Sequence, residues 1–118
     1  MAQRRRTYLQ LNNKYLSEAE GLLTKGDHVQ ASEKLWGAAA EILKAVAAKR
    51  GKTIRNHAPL WDFVTELSDQ HPDWRLLEAF SIANTLHTNF YEDWLPPELV
   101  LDGGRVARAF VEKLKRLL

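Results

Sequence analysis

The stretch that decides the fold is residues 14–51, KYLSEAEGLLTKGDHVQASEKLWGAAAEILKAVAAKRG. Its apolar residues recur every three or four positions, which is the period of an amphipathic helix. The pattern is interrupted at Lys25-Gly26-Asp27, where a glycine suits the end of one helix and an aspartate suits the N-cap of the next. Because this joint is so short, the stretch predicts two antiparallel helices that pack side by side.

The second of these helices, predicted over about residues 28–50, is rich in alanine. Gly37 and the alanines after it carry little side-chain volume, so we expect a neighbouring helix to approach closely there. The carboxylates of this helix, Glu33 and Glu41, are expected on its solvent face. Lys49, Arg50 and Gly51 then give a cationic last turn and a glycine stop.

The rest of the sequence also repeats at helical spacing and shows no strand alternation. Pro59 suits the first turn of a third helix, and a fourth is predicted from about residue 73 to residue 94, where Pro96-Pro97 stops it. Asp102-Gly103-Gly104 predicts a further break, with the aspartate as a possible N-cap. We therefore expect an all-α fold: an up-and-down bundle of four main helices plus a short C-terminal helix.

Length and composition predict one domain over residues 1–118, because 118 residues with 45% hydrophobic content supply one core. Net charge is only +2, but the basic residues cluster at both ends of the chain. Arg4, Arg5 and Arg6 fall in residues 1–6, which we expect to be a flexible basic tail. The C-terminal cluster has two open interpretations, a phosphate-facing surface or an ordinary solvated helix face.

Several classes of protein are excluded or not expected. The chain has no cysteine, which excludes disulfides, zinc–thiolate sites and cysteine nucleophiles. No two of its four histidines have the spacing of a helical zinc site, and no glycine-rich phosphate loop occurs, so neither a metal nor a cofactor is expected. Apolar runs are too short to cross a bilayer, and no apolar segment follows the N-terminal arginines. We expect a soluble, cytoplasmic protein without membrane association.

The first candidate site lies in SIANTLHTNFYEDWL, residues 81–95. Asn84, His87 and Tyr91 are three and four positions apart, so they share one side of a largely apolar helix face. The imidazole could exchange a proton near neutral pH, while the amide and the phenol orient it or bind an oxyanion. The alternative is that His87 is a core histidine hydrogen-bonded to a neighbouring helix. Both interpretations stay open from the spacing.

The second candidate site is the loop RNHAPLW, residues 55–61, at the predicted start of the third helix. Arg55 and His57 could bind an anion there, since helix N-termini attract negative charge. The alternative is that Asn56 or His57 only caps the helix.

Three segments, taken together, resemble the HEPN superfamily of nucleotide-binding helical domains. They are the stretch 14–51, then NHAPL (56–60), then ANTLHTNFYED (83–93). The likeness covers about residues 8–94 and is closest to a branch of small HEPN-like proteins expanded in archaea. It implies a dimeric bundle of four or five helices. Many members are metal-independent ribonucleases of toxin or defence systems, whereas others bind nucleotides or partner a nucleotidyltransferase.

The ribonuclease motif of that superfamily pairs an arginine with a histidine four to six residues further on. His87 matches the histidine, and the arginine would then fall at Phe80, Ser81 or Ile82, none of which is arginine. The nearest upstream candidate is Arg75, about three helical turns away. The resemblance therefore favours the fold over the nuclease activity.

The prediction is a non-catalytic HEPN-like module, a homodimer that binds a nucleotide, RNA or a protein partner such as a nucleotidyltransferase. One alternative is a metal-independent ribonuclease that uses His87 with help from Asn84 and Tyr91, where Arg55 or a partner's arginine would replace the missing one. Another alternative is a helical scaffold without a ligand.

Overall fold

The computed structural model describes residues 2–118, in which five α-helices and no β-strand occur. The all-α prediction is confirmed. The helices, in chain order, are α1 Ala2–Thr24, α2 His28–Lys49, α3 His57–Gln70, α4 Leu76–Glu92 and α5 Pro97–Lys115, with a 3₁₀ turn Pro72–Trp74 before α4. None of these helices is long and apolar enough to cross a lipid bilayer.

The alanine-rich helix α2 lies at the centre of the molecule and packs against each of the other four helices. Fourteen of its 22 residues are buried, because small side chains let neighbours approach from several directions. The approach is close at Gly37, where an added Cβ would lie 2.9 Å from the ring of Tyr15 on α1. The joint between the two helices also forms as expected, since the Asp27 side chain accepts a hydrogen bond from the backbone N–H of Gln30.

Two helices have boundaries that differ from those predicted from the sequence. Helix α1 begins at Ala2, so residues 2–6, expected as a flexible basic tail, are helical; Met1 lies outside the described residues. Helix α4 begins at Leu76, after Arg75 in the left-handed conformation (φ 55°), and ends at Glu92, before Asp93 in the same conformation (φ 51°). Trp94 therefore lies in the loop that leads to α5.

The predicted break at Asp102-Gly103-Gly104 is wrong, because α5 runs through it as one helix of 19 residues. Pro97 opens this helix, and Asp102 pairs with Arg105 inside it instead of capping it. The two glycines allow neighbouring helices to pack closely against α5. An added Cβ at Gly103 would come within 3.1 Å of Leu86 on α4, and one at Gly104 would come within 3.1 Å of Leu35 on α2. The C-terminal helix is therefore longer than expected.

The core is built mainly from α2, α3, α4 and α5. Its largest fully buried side chains include Phe80 on α4 and Phe110 on α5, whose ring centroids are 5.8 Å apart. Helix α1 contributes little to this core, since Asn12 and Ala19 are its only fully buried residues among those described. The side of α2 that α1 leaves partly uncovered forms the wall of a cleft.

Candidate functional site

His87 projects from α4 towards α2 and is held there by two residues. Its Nδ1–H donates to the Glu33 carboxylate at 2.7 Å. Its ring stacks on Trp36, with ring centroids 5.0 Å apart and planes inclined by 28°. The His87 side chain keeps 21% of its surface exposed, so the imidazole is tied to a neighbouring helix without being sealed in the core.

His57, the first residue of α3, joins the same group of rings. Its ring centroid lies 5.3 Å from that of Trp36 and 5.4 Å from that of His87, edge-on in both cases. Two candidates from separate sequence motifs are thus brought together by the packing of α3 and α4 on α2. Asn56 occupies the N-cap position of α3, but its side chain makes no capping hydrogen bond.

The other two candidates on α4 differ in their surroundings. The Tyr91 ring stands edge-on to His87 with centroids 5.4 Å apart, and 69% of this residue is exposed. Asn84 is half-buried, and its side chain makes no hydrogen bond within residues 2–118. Of the three residues that the helical spacing put in one row, His87 and Tyr91 are therefore in ring contact, whereas the Asn84 amide takes no part in that contact.

A cleft of about 480 Å³ runs along α2 beside these rings. Its α2 residues follow one helix face from Glu33 to Lys44, a rise of about 16 Å. Helix α1, the loop before α3 and α3 itself supply the other walls. The lining residues are Tyr15, Glu33, Lys34, Trp36, Gly37, Ala40, Glu41, Lys44, Arg55, Asn56, His57 and Leu60.

The charges of the cleft are mostly paired. Lys34 lies 3.1 Å from Glu18, and Lys44 lies 3.3 Å from Glu41. Arg55 is the cationic side chain of the lining that makes no ion pair within residues 2–118. Both residues of the predicted anion site, Arg55 and His57, thus line one cleft.

Three residues that hold the candidate site together are missed by sequence reasoning. It assigns Glu33 to a solvent face and does not single out Trp36 among the apolar residues of the stretch 14–51. The three-residue spacing of this pair, which puts both residues on one side of α2, is the signal that could have found them.

The third missed residue is Asn89, which is buried and connects three segments. Its Nδ2 donates to Ser32 Oγ at 3.0 Å, and its Oδ1 accepts from the backbone N–H groups of Trp94 and Leu95 at 2.9 and 2.8 Å. This network fixes the end of α4 against α2, two residues after His87. The sequence signal that could have identified Asn89 is its position shortly before a loop that leads into two prolines.

These features define a small all-helical protein with a polar, ring-lined cleft beside its central helix. Residues 7–111 match the family model described as the archaeal PaREP1/PaREP8 family. The match spans most of the sequence, and the chain belongs to this family. The expectation of a family of small helical archaeal proteins is therefore confirmed.

A solved structure supports the same fold. The crystal structure of a protein from Sulfolobus solfataricus is similar to this chain with a TM-score of 0.78 and 26% sequence identity, over 91% of this chain and 95% of that one. No curated protein gives a significant match.

Proposed function

We propose that this protein is a non-catalytic, HEPN-like binding module whose cleft beside α2 takes a nucleotide, either free or as a unit of RNA. The observation that carries the proposal is the combination of aromatic rings and a guanidinium in one cleft. His57, which is exposed, and Tyr15, which is half-buried, offer ring surfaces, and Arg55 offers a cation that makes no ion pair among the described residues. Nucleobases stack on aromatic rings, and a guanidinium binds phosphate oxygens through paired hydrogen bonds.

The dimensions and rigidity of the cleft support this proposal. Its volume of about 480 Å³ falls within the usual range of small-molecule sites, about 300–1,000 Å³. The ring group is fixed before any ligand arrives, because Glu33 holds the His87 imidazole against Trp36. Such preorganisation lowers the entropy lost on binding.

The surroundings of His87 support binding more than catalysis. None of the positions expected for the motif arginine offers a replacement: Phe80 is fully buried, and the Ser81 hydroxyl donates to the Leu77 carbonyl of its own helix. Arg75 pairs with Glu78 near the start of α4. His87 therefore has no guanidinium on its own helix to stabilise the charge of a reacting phosphate.

A second candidate function is metal-independent RNA cleavage, which the His57–His87 pair favours. The two ring centroids are 5.4 Å apart, and Glu33 orients His87. One imidazole would accept the proton of the ribose 2′-hydroxyl as its oxygen attacks phosphorus. The other would protonate the departing 5′-oxygen, which leaves a 2′,3′-cyclic phosphate. In this scheme Arg55 would face the phosphate.

The homodimer is also part of the proposal. A shallow apolar groove of about 240 Å³ between α4 and α5 supports it. Leu99 lines this groove and is 49% exposed, and Trp94, beside the groove residue Leu95 in the chain, is 50% exposed. Exposed apolar surface of this kind is typical of protein–protein contacts.

The binding proposal can be tested by calorimetric titration of the folded protein with GMP, AMP, CMP and UMP. We expect at least one nucleotide to bind, and Arg55→Ala to weaken that binding about tenfold or more, because a charged hydrogen bond to phosphate is lost. The matched control is Arg75→Ala, which removes an exposed arginine outside the cleft and should leave affinity unchanged. If none of the four nucleotides binds, or if Arg55→Ala binds as tightly as the wild type, the proposal is wrong.

The same preparations separate binding from cleavage. Labelled RNA incubated with the wild type in EDTA should stay intact. Cleavage that disappears in folded His87→Ala and in folded His57→Ala would replace the non-catalytic proposal with the nuclease.

A further inference from the structure

One carboxylate in the cleft has an unused oxygen. Glu41 lies on α2 and is only 9% exposed, although its sequence position predicted a solvent face. Its Oε1 accepts from Lys44 Nζ at 3.3 Å, whereas its Oε2 is buried and has no hydrogen-bond partner within residues 2–118. A buried carboxylate oxygen without a donor is costly. Because Glu41 lines the cleft, a ligand that displaces the side-chain atoms covering this oxygen would supply that donor.

The charges around Glu41 restrict the kind of ligand that could donate to its Oε2. The lining contains three cationic side chains, Lys34, Lys44 and Arg55, against the carboxylates of Glu33 and Glu41. Lys34 and Lys44 are already paired, with Glu18 and Glu41, so Arg55 is the cation left to bind an anionic group. A ligand that carries an anionic group together with N–H donors satisfies both features.

An aromatic ring lies close to the unused oxygen along the helix. Tyr15 packs on Gly37, one helical turn before Glu41 on the same face of α2. A planar base lying against the rings of the cleft would therefore have its edge within reach of the Glu41 carboxylate. The rise from Gly37 to Glu41 is about 6 Å, close to the width of a purine ring system.

Base chemistry then distinguishes the nucleotides. An ionised carboxylate only accepts hydrogen bonds. Guanine presents two adjacent donors on its Watson–Crick edge, N1–H and the N2 amino group, which match the two oxygens of a carboxylate. Adenine and cytosine each present one donor beside a ring nitrogen that accepts, and uracil presents one donor between two carbonyls. A carboxylate would meet an acceptor in each of these three bases.

We infer that the cleft selects guanine nucleotides, an inference that rests on the proposed nucleotide binding. Glu41 accepts hydrogen bonds from the guanine edge, and Arg55 contacts the phosphate. The proposed function names the class of ligand, and this inference names the base and the residue that reads it.

Calorimetric titration with GMP, IMP and AMP tests the inference, because IMP keeps the N1–H donor but lacks the amino group. We expect GMP to bind at least about tenfold tighter than AMP, with IMP between them. In Glu41→Gln, whose amide offers one acceptor and one donor, the preference for GMP over AMP should fall to about threefold or less. Glu66→Gln, which also removes a carboxylate paired with a lysine but lies outside the cleft lining, should keep the full preference.

The outcomes are distinct. Equal binding of GMP and AMP by the wild type, or a preference that survives Glu41→Gln, overturns the guanine inference and leaves nucleotide binding standing. Absence of binding to any nucleotide overturns both. The wild-type comparison of GMP, IMP and AMP decides the question even if the Glu41 variant does not fold.

Discussion

Asn89 shows how a single side chain can hold the end of a helix. Helix α4 stops at Glu92, and the chain then turns towards Pro96 with backbone N–H groups that no helical carbonyl can reach. The Asn89 carboxamide accepts two of them and donates to Ser32 on α2. Since it is only 1% exposed, water cannot replace those bonds without local opening.

We expect Asn89→Ala to lower the free energy of unfolding by about 2–4 kcal/mol, because two backbone donors and the Ser32 hydroxyl lose a buried partner. Asn84→Ala is the matched control, an asparagine on the same helix whose side chain makes no hydrogen bond within residues 2–118. It should change stability by less than about 0.5 kcal/mol. Urea unfolding followed by circular dichroism measures both, and equal losses would contradict the role assigned to Asn89.

The same two asparagines show the limit of residue-level prediction. Helical spacing put Asn84 in line with His87, but spacing records only which side of a helix a residue occupies. The partners of Asn89 come from α2 and from the loop after α4, and those contacts exist only once the helices have packed. The same long-range packing brings His57 next to His87. It also buries Glu41, which the sequence had placed on a solvent face.

At the scale of elements, α5 passes through two adjacent glycines without a break. Glycine lowers helix propensity by about 1 kcal/mol relative to alanine, so a pair of them in the middle of a helix requires a compensating contact. Leu86 on α4 and Leu35 on α2 supply it by packing directly on the bare backbone of Gly103 and Gly104.

Gly104→Ala should therefore lower the free energy of unfolding by about 1–2 kcal/mol despite its better propensity, because Leu35 is fully buried and cannot move away from a new methyl group. Gly21→Ala should do the opposite. Gly21 lies in α1 with nothing within 4 Å of an added Cβ, and the substitution should raise stability by about 0.5–1 kcal/mol. Thermal or urea unfolding of the two variants tests the sign, and a stabilised Gly104 variant would refute the packing argument.

The boundaries of α2 follow from short-range signals and could be predicted. Asp27 caps the helix through a neighbour three residues away, and Gly51 ends it within one turn. The glycine pair in α5 gives the same local signal as a helix stop, so the sequence predicts a break there. Only the distant leucines distinguish a packing glycine from a terminating one, and they are not visible in a window of adjacent residues.

At the scale of the whole molecule, the apolar groove between α4 and α5 remains open to solvent. Trp94 and Leu99, beside and within this groove, are large and exposed. In the homodimer that we propose, a second copy of the chain covers this surface.

We expect sedimentation equilibrium of the wild type to give twice the chain mass of 13.5 kDa at micromolar concentration. Leu99→Asp should give the monomer mass, since a carboxylate would be buried without a partner in the interface. Leu77→Asp is the control, an exposed leucine on α4 that does not line the groove, and it should remain dimeric. A monomeric wild type, or a Leu99→Asp variant that stays dimeric, would rule out this interface.

The central position of α2 has a consequence for how the molecule opens. Because each of the other four helices packs on α2, its backbone amides can meet solvent only when most of the structure has come apart, and they should be the slowest to exchange with deuterium. Helix α1 packs along α2 and donates a buried hydrogen bond from Asn12 Nδ2 to the Ala38 carbonyl, so it should separate from α2 only as part of this wider opening. The Tyr15 wall of the cleft should therefore stay in place for as long as α1 and α2 remain packed.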